Sequence, residues 1–234
     1  LRNAEWHYRY SKILNKKPYL EENKMSQQNV QSEVLKVLAE RHSVKEYQAG
    51  HKMPKEHLEQ LLLSASQAPS AWNLQHWKFV VIEEQAYKEK LHPIAYGQKQ
   101  IVDSSVVIAV LGDLEANKNV EPVFGPLVAA GHMTKELKDT LAGQIEGAYQ
   151  HPQVARDEAI RNASLAAMQL MIAAKAIGYD TCPMGGYDAA RFVKEFNIPE
   201  RYVPVMLISV GLAATPARPS SRLALDQVTV SNTF

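Results

Sequence analysis

Between Pro152 and Ile177 the residues Ala159, Ala163, Ala166, Leu170, Ala174 and Ile177 recur at steps of 4, 3, 4, 4 and 3. Ile160, Ala167 and Met171 add a second stripe and widen the apolar arc. The spacing predicts a helix from about Pro152 to Ala176, apolar on most sides, and such a helix has to be buried nearly all round. Its alanines allow close approach of neighbouring elements. A helix at the centre of a layered domain and a helix at a subunit interface both satisfy the pattern. Gly178 ends the run, in the left-handed role that glycine fills cheaply.

The remaining elements are read against that helix. Val106-Val107-Ile108-Ala109-Val110-Leu111 is a near-continuous apolar run, which suits a strand covered on both faces. Val203–Val210 reads likewise, and Trp77–Ile82 reads as a central strand. Helices are expected around Val30–Leu38, from Pro54 to just before Pro69, over Glu83–Leu91 and over Met133–Leu141. Val44–Gln48 reads as extended or loop, closed by Gly50. In residues 112–131, Pro122, Gly125, Pro126 and Gly131 interrupt an apolar pattern. That stretch is either a mobile excursion near a ligand or a plain surface connection. Val228-Thr229-Val230 in the polar tail reads as a short edge strand, one that could add to a partner.

Residues 1–24 have no amphipathic period and no apolar h-region, and Met25 looks like an ordinary start. They read as a vector-derived or upstream-translated leader, the alternative being an arm that wraps a neighbour. Residues 25–234 then read as a single domain. Of 234 residues, 46% are hydrophobic and 22% charged, enough for one substantial core. A formal net charge of +1 gives no bulk electrostatic case for a nucleic-acid partner. One cysteine excludes an internal disulfide and a multi-cysteine metal cluster. No apolar stretch approaches the length of a membrane span, so the default location is the cytoplasm.

Familiar catalytic signatures are missing. There is no GxGxxG and no GxxxxGK[ST], no histidine pair has HExxH spacing, and Ser70 lacks the GxSxG frame. Cys182 has no nearby ligand partner and reads as a small packed residue; Asp103 and Asp113 read as ordinary strand ends.

Four polar clusters remain where core elements end. Arg41-His42-Ser43-Val44-Lys45 places two fixed cations and a hydroxyl within five residues, a set that can hold a phosphate or simply form a solvated face. Pro69-Ser70-Ala71-Trp72-Asn73-Leu74-Gln75-His76-Trp77 is a restrained turn. The Asn73 amide suits a flat ring with alternating N–H and C=O groups, though the turn could equally be held by its own side chains. In Cys182-Pro183-Met184-Gly185-Gly186 the two glycines allow backbone to approach a ligand plane, or make a tight turn. Arg218-Pro219-Ser220-Ser221-Arg222 is a second possible anion contact.

The order and spacing of these clusters resemble the nitroreductase family, FMN-dependent NAD(P)H oxidoreductases, from about residue 33 to residue 230. The resemblance implies an α+β fold with a central mixed, mainly antiparallel sheet flanked by helices, in an interlocked homodimer with FMN at the subunit interface. It implies that Arg41 and Arg222 grip the FMN phosphate and that His42 and Ser43 hold phosphate or ribityl groups. Lys45 would lie near N1 and the C2 carbonyl, where a cation stabilises charge on the reduced ring. Asn73 would bond the pyrimidine edge, with Pro69, Ser70 and Ala71 supplied by the opposite subunit. A backbone N–H in the Pro183–Gly186 segment, at Met184, Gly185 or Gly186, would point toward N5. Of Arg218 and Arg222, the second is taken as the phosphate contact. His76 stands where many relatives have proline. Residues 112–145 would cover the pocket, with Phe124 and His132 as substrate-facing candidates that could equally be packing or surface. The activity implied is hydride transfer from NADH or NADPH through the flavin to nitroaromatic, quinone or related acceptors, by a ping-pong cycle with no catalytic side chain and no metal. Reductive dehalogenation, flavin fragmentation and a non-catalytic flavin-binding redox sensor are the alternatives on the same fold.

Overall fold

The computed structural model describes residues 27–234; the leader reading of residues 1–24 lies outside them. The chain divides between Glu40 and Arg41 into two units. In the first, helix α1 spans Gln27–Glu40.

The second unit is built on four strands: β1 (Trp77–Ile82), β2 (Val106–Asp113), β3 (Asp180–Met184) and β4 (Tyr202–Gly211). They form one antiparallel sheet in the order β1-β2-β4-β3. Ser43 adds a single parallel bridge to Thr181, which makes the arrangement mixed. β2 is buried along its whole length. Val106, Ile108 and Val110 join one apolar cluster, while Val107, Ala109 and Leu111 join another. The continuous apolar run is therefore the alternation of a strand with both faces covered.

Helices α2 (Lys55–Ser66) and α7 (Pro152–Ala176) cover the first face. Helices α3 (Gln85–Ile94) and α8 (Ala189–Glu195) cover the second. A short helix, α4 (Gln100–Asp103), leads into β2. Pro54 precedes α2 as expected, and Leu58, Leu61 and Ala65 are its buried face. The predicted α7 matches in extent. Gly178 has φ 89°, and the Tyr179 N–H returns to the Ala174 carbonyl at 2.9 Å, closing the helix with a left-handed glycine. Burial nearly all round is not what is found: the alanine face with Leu170 and Met171 is buried, while Arg156, Asp157 and Arg161 face outward and Leu165 and Met168 stay 44% and 40% exposed.

Four other expectations are corrected. β1 is an edge strand, half-buried along most of its length. Cys182–Met184, read with Gly185 and Gly186 as a ligand-facing segment or tight turn, belong to β3; it is an edge strand, and an edge tolerates Pro183 because the missing N–H removes no bond from an inner ladder. Pro204 in the inner strand β4 sits at a register shift opposite Val110/Leu111, where a bulge already breaks the ladder. Residues 116–129 are neither loop nor plain connection. A 3₁₀ turn (Ala116–Asn119) leads into helix α5 (Val120–Ala129), followed by α6 (Lys135–Tyr149), whose first turn is capped by Thr134 Oγ1 accepting from Leu137 N–H. Residues 228–230 pair with no strand of the described chain; Leu225–Val228 is a helical turn, α9.

Candidate cofactor site

The Arg41–Lys45 and Cys182–Gly186 clusters are brought together. Ser43 bridges Thr181, and the Val44 N–H donates to the Thr181 carbonyl at 3.0 Å. Val44 is buried while Ser43 and Lys45 are exposed, so the segment anchors by one side chain and presents its polar neighbours outward. Two residues on, the buried Tyr47 hydroxyl meets the Ser209 carbonyl at 3.2 Å and the Ser209 hydroxyl at 3.1 Å. The Gln48 N–H donates to Leu212 at 2.9 Å. These bonds lock the cationic segment across β3 and the end of β4.

Among the described residues, no carboxylate lies within ion-pairing distance of Arg41 or Lys45. Burial pushes the Cys182 thiol up, and the fixed charges of Lys45 and Arg41 pull against it. The two cations therefore lie alongside β3 at Cys182, without an acidic partner among the described residues, and Lys45 is the one that runs toward the strand's end. There the Gly185 and Gly186 N–H groups donate to no acceptor among the described residues. A Cβ at either glycine would meet nothing within 4 Å. Unpaired cations, two free N–H donors and a face without side chains fit a flat ligand that carries an anionic group. The chemistry of this donor set suits a phosphate-bearing aromatic cofactor.

The Pro69–Trp77 cluster sits elsewhere in the chain, and no hydrogen bond joins it to the first two clusters among the described residues. Its backbone is strained: Trp72, Asn73 and Gln75 have φ of 49°, 56° and 53°. Left-handed backbone costs about 1 kcal/mol or more for each such side chain, and for a bulky residue it is an outlier. Side chains hold the turn. Ser70 Oγ accepts from Gln75 N–H at 3.0 Å, and Gln75 Nε2 donates to the Asn73 carbonyl at 3.2 Å. Asn119 Nδ2 donates to the Leu74 carbonyl at 2.9 Å. Asn162 Oδ1, on α7, accepts from Ala71 N–H at 2.9 Å.

Beneath the turn lies a polar layer. Asp113 makes a two-point ion pair with Arg201, at 2.7 Å to Nε and 2.6 Å to an Nη, and the same guanidinium reaches Asn119 Oδ1 at 3.1 Å. His76 is fully buried, and neither ring nitrogen has a partner. Burial lowers its pKa below 6.5, against the opposing pull of Glu158 and Asp113. The Tyr149 hydroxyl is also unpartnered, and burial raises its pKa.

The other candidates are placed as follows. Asn73 is exposed, and Ala71 and Ser70 are half-buried. Phe124 packs with Leu74, Ala116 and Ile145 in a small apolar cluster, and His132 is exposed. Arg218 and Arg222 lie in the exposed tail, where Arg222 bonds the Ser220 hydroxyl and the Ser221 carbonyl at 3.0 and 2.9 Å. A cavity of about 730 Å³ near the start of β2 is lined by residues including His51, Lys52, Glu84, Lys88 and Asp103, and contains none of the cofactor candidates. Asn119 and Asn162 were not singled out by sequence reasoning. Asn162 left a signal, since it is a polar residue inside the alanine surface of α7 and is itself buried.

The model of the family described as Nitroreductase family matches residues 38–212. The "Putative NAD(P)H nitroreductase YodC" of Bacillus subtilis (strain 168) is 59% identical over 194 residues, which span 83% of this chain and 96% of that protein. A crystal structure of a putative nitroreductase from Exiguobacterium sibiricum 255-15, in complex with FMN, superposes with a TM-score of 0.79 at 36% identity, covering 84% of this chain and 96% of that one. The CLA biosynthesis enone reductase of Lactiplantibacillus plantarum is 30% identical over 190 residues, 79% of this chain and 88% of that protein.

Proposed function

The chain belongs to the nitroreductase family, and on that premise we propose which acceptors it reduces, how its two half-reactions alternate and how its site is completed. It is an NAD(P)H-dependent flavin oxidoreductase with FMN as cofactor. FMN, when bound, supplies a two-electron carrier that takes a hydride from NAD(P)H and passes it to an acceptor. Nitroaromatics and quinones are the acceptors proposed. Reductant and acceptor take turns in one open site, which accords with a chain that lacks a dinucleotide-binding GxGxxG.

The observation that carries this reading is the parallel Ser43–Thr181 bridge, which lays Arg41–Lys45 along β3 with Lys45 running toward its Gly185-Gly186 end and both cations acting on Cys182. Arg41 and Arg222 would bind the phosphate, with His42 and Ser43 on phosphate or ribityl oxygens. Lys45 would stabilise negative charge on the reduced ring. Asn73 would orient the pyrimidine edge. The Pro183–Gly186 strand end would present a backbone N–H to the ring, from Met184, Gly185 or Gly186. Pro69, Ser70 and Ala71 would reach the ring from a second copy of the chain. Exposed Leu165 and Met168, in line with Ile172 on the outer side of α7, supply an apolar stripe for that homodimer. Among the described residues, no helix is long and apolar enough to cross a membrane, and we place the reaction in the cytoplasm, where NAD(P)H is at hand.

A second reading, reduction of a conjugated enone, is favoured by the similarity to the CLA biosynthesis enone reductase. The test is anaerobic: FMN-loaded protein is mixed with NADH or NADPH, then with a nitroaromatic, a quinone or an enone. Bleaching of the flavin band followed by its return with one acceptor class is the expected result. No bleaching with either nicotinamide at full FMN occupancy refutes the reading, and bleaching without turnover of any acceptor points to a redox sensor.

A further inference from the structure

The Ser70–Gln75 turn rests on more than its own two side-chain bonds. Three of its residues occupy left-handed backbone, one of them tryptophan, and unsupported chain would relax from there. Strain of this kind persists only where the surroundings over-determine it. Two side chains from outside the turn do so. Asn119 bonds the Leu74 carbonyl and is itself held by Arg201. Asn162 bonds the Ala71 N–H from α7, 91 residues away in sequence.

Asn162 is satisfied on every side. Its Nδ2 donates to the Glu158 carbonyl at 2.7 Å and to Glu158 Oε2 at 2.8 Å, which fixes the amide orientation and turns Oδ1 toward Ala71. The Glu158 carboxylate is in turn paired with Arg161. Alanine would suit this position of the helix better by propensity alone, and a buried amide is costly unless bonded. An amide kept here, directed out of its own helix at a strained turn, points to a demand on the turn rather than on the helix.

We propose that Asn162, steered by Glu158, is a positioning residue that holds Ala71 and the Ser70–Gln75 turn in the conformation FMN binding requires. The inference rests on the reading of Pro69–Asn73 as a segment that touches the cofactor.

The test is a titration of FMN-stripped protein with FMN, followed by flavin fluorescence, with thermal melts of the same samples. Wild-type protein is measured first; failure to bind FMN there would count against the cofactor reading, not against Asn162. In Asn162→Ala, which keeps the helix, FMN affinity should fall about tenfold, the effect of one lost buried hydrogen bond. Glu158→Gln retains a side-chain acceptor for Asn162 Nδ2, so the amide still turns Oδ1 to the Ala71 N–H, and it should bind FMN more tightly than the Asn162→Ala variant. Phe192→Leu, in the core on the other face of the sheet, gives a loss of melting temperature with no loss of FMN affinity. Asn162→Ala within twofold of wild type overturns the proposal. So does a Glu158→Gln variant no tighter than Asn162→Ala, or a Phe192→Leu variant that weakens FMN as much at an equal melting shift.

Discussion

Gly112 lies against Ala159 so closely that a Cβ added to it would stand 2.8 Å from the Ala159 carbonyl carbon and oxygen. The sheet and α7 meet here backbone to backbone. Gly112→Ala has to push α7 away, and overpacking of this kind costs about 1–3 kcal/mol. Urea unfolding should show a lower midpoint with an unchanged slope; an unchanged midpoint would mean that the helix yields freely.

Arg41→Ala removes a cation that has no partner inside the described chain, so the fold has little to lose. A charge-assisted bond to phosphate is worth more than a neutral one, and FMN affinity should drop about 10- to 100-fold. Far-ultraviolet dichroism should stay as in wild type. Equal flavin dissociation constants for the two proteins would remove Arg41 from the site.

The Asp113–Arg201 pair is asymmetric: the Asp113 side chain is 4% exposed and the Arg201 side chain 30%. Removing the arginine strands a carboxylate away from water, whereas removing the carboxylate leaves a guanidinium that still touches solvent. Arg201→Met should therefore cost more than Asp113→Asn, about 3 kcal/mol against about 1–2 kcal/mol once solvent screening is allowed for. The reverse order in denaturant unfolding would contradict the burial argument.

His76 is buried and neutral, with a folded pKa below the ordinary 6.5 because of burial. For such a group the unfolded chain binds the proton first. The contribution to stability is thus complete above pH 6.5 and is lost as pH falls below it, toward the lower folded value, by up to about 1.4 kcal/mol per pH unit. His76→Gln should be less sensitive than wild type between pH 7 and 5. Parallel stability curves for the two proteins would show that the ring charges at no cost.

Leu165→Glu places a charge in the exposed apolar stripe of α7. Sedimentation should show a shift from dimer to monomer, accompanied by weaker FMN retention. A monomeric wild-type protein that still binds FMN tightly would remove the second copy from the site.

The elements that sequence made legible are those with a long apolar run or a regular apolar face. β2 and most of β4 are continuous apolar runs, and α7 repeats its alanines at three- and four-residue steps through a partly charged sequence. β3 escaped because five residues with a proline give no period, and its strand character comes from β4 beside it. α5 escaped because Pro122, Gly125 and Pro126 read as breakers. Yet Pro122 falls in the first turn, where its missing N–H is harmless, and the burial of Phe124 holds the rest. Of the site, the charged clusters were visible as clusters, but the bond from Val44 to Thr181 was not. The support of the strained turn was only half visible: Asn162 stands out as a polar residue among the alanines of α7, but its partner Ala71, 91 residues away, has no mark in the sequence.

The register of the cationic segment has a temporal consequence. A ribosome releases Arg41–Lys45 long before Thr181, and Tyr47 waits longer still for Ser209. No local contact can stand in for these closures, so the half of the site proposed to bind phosphate assembles only when almost the whole chain has emerged. FMN capture is thereby deferred to the end of synthesis, and a nascent chain stalled before β3 should copurify without flavin.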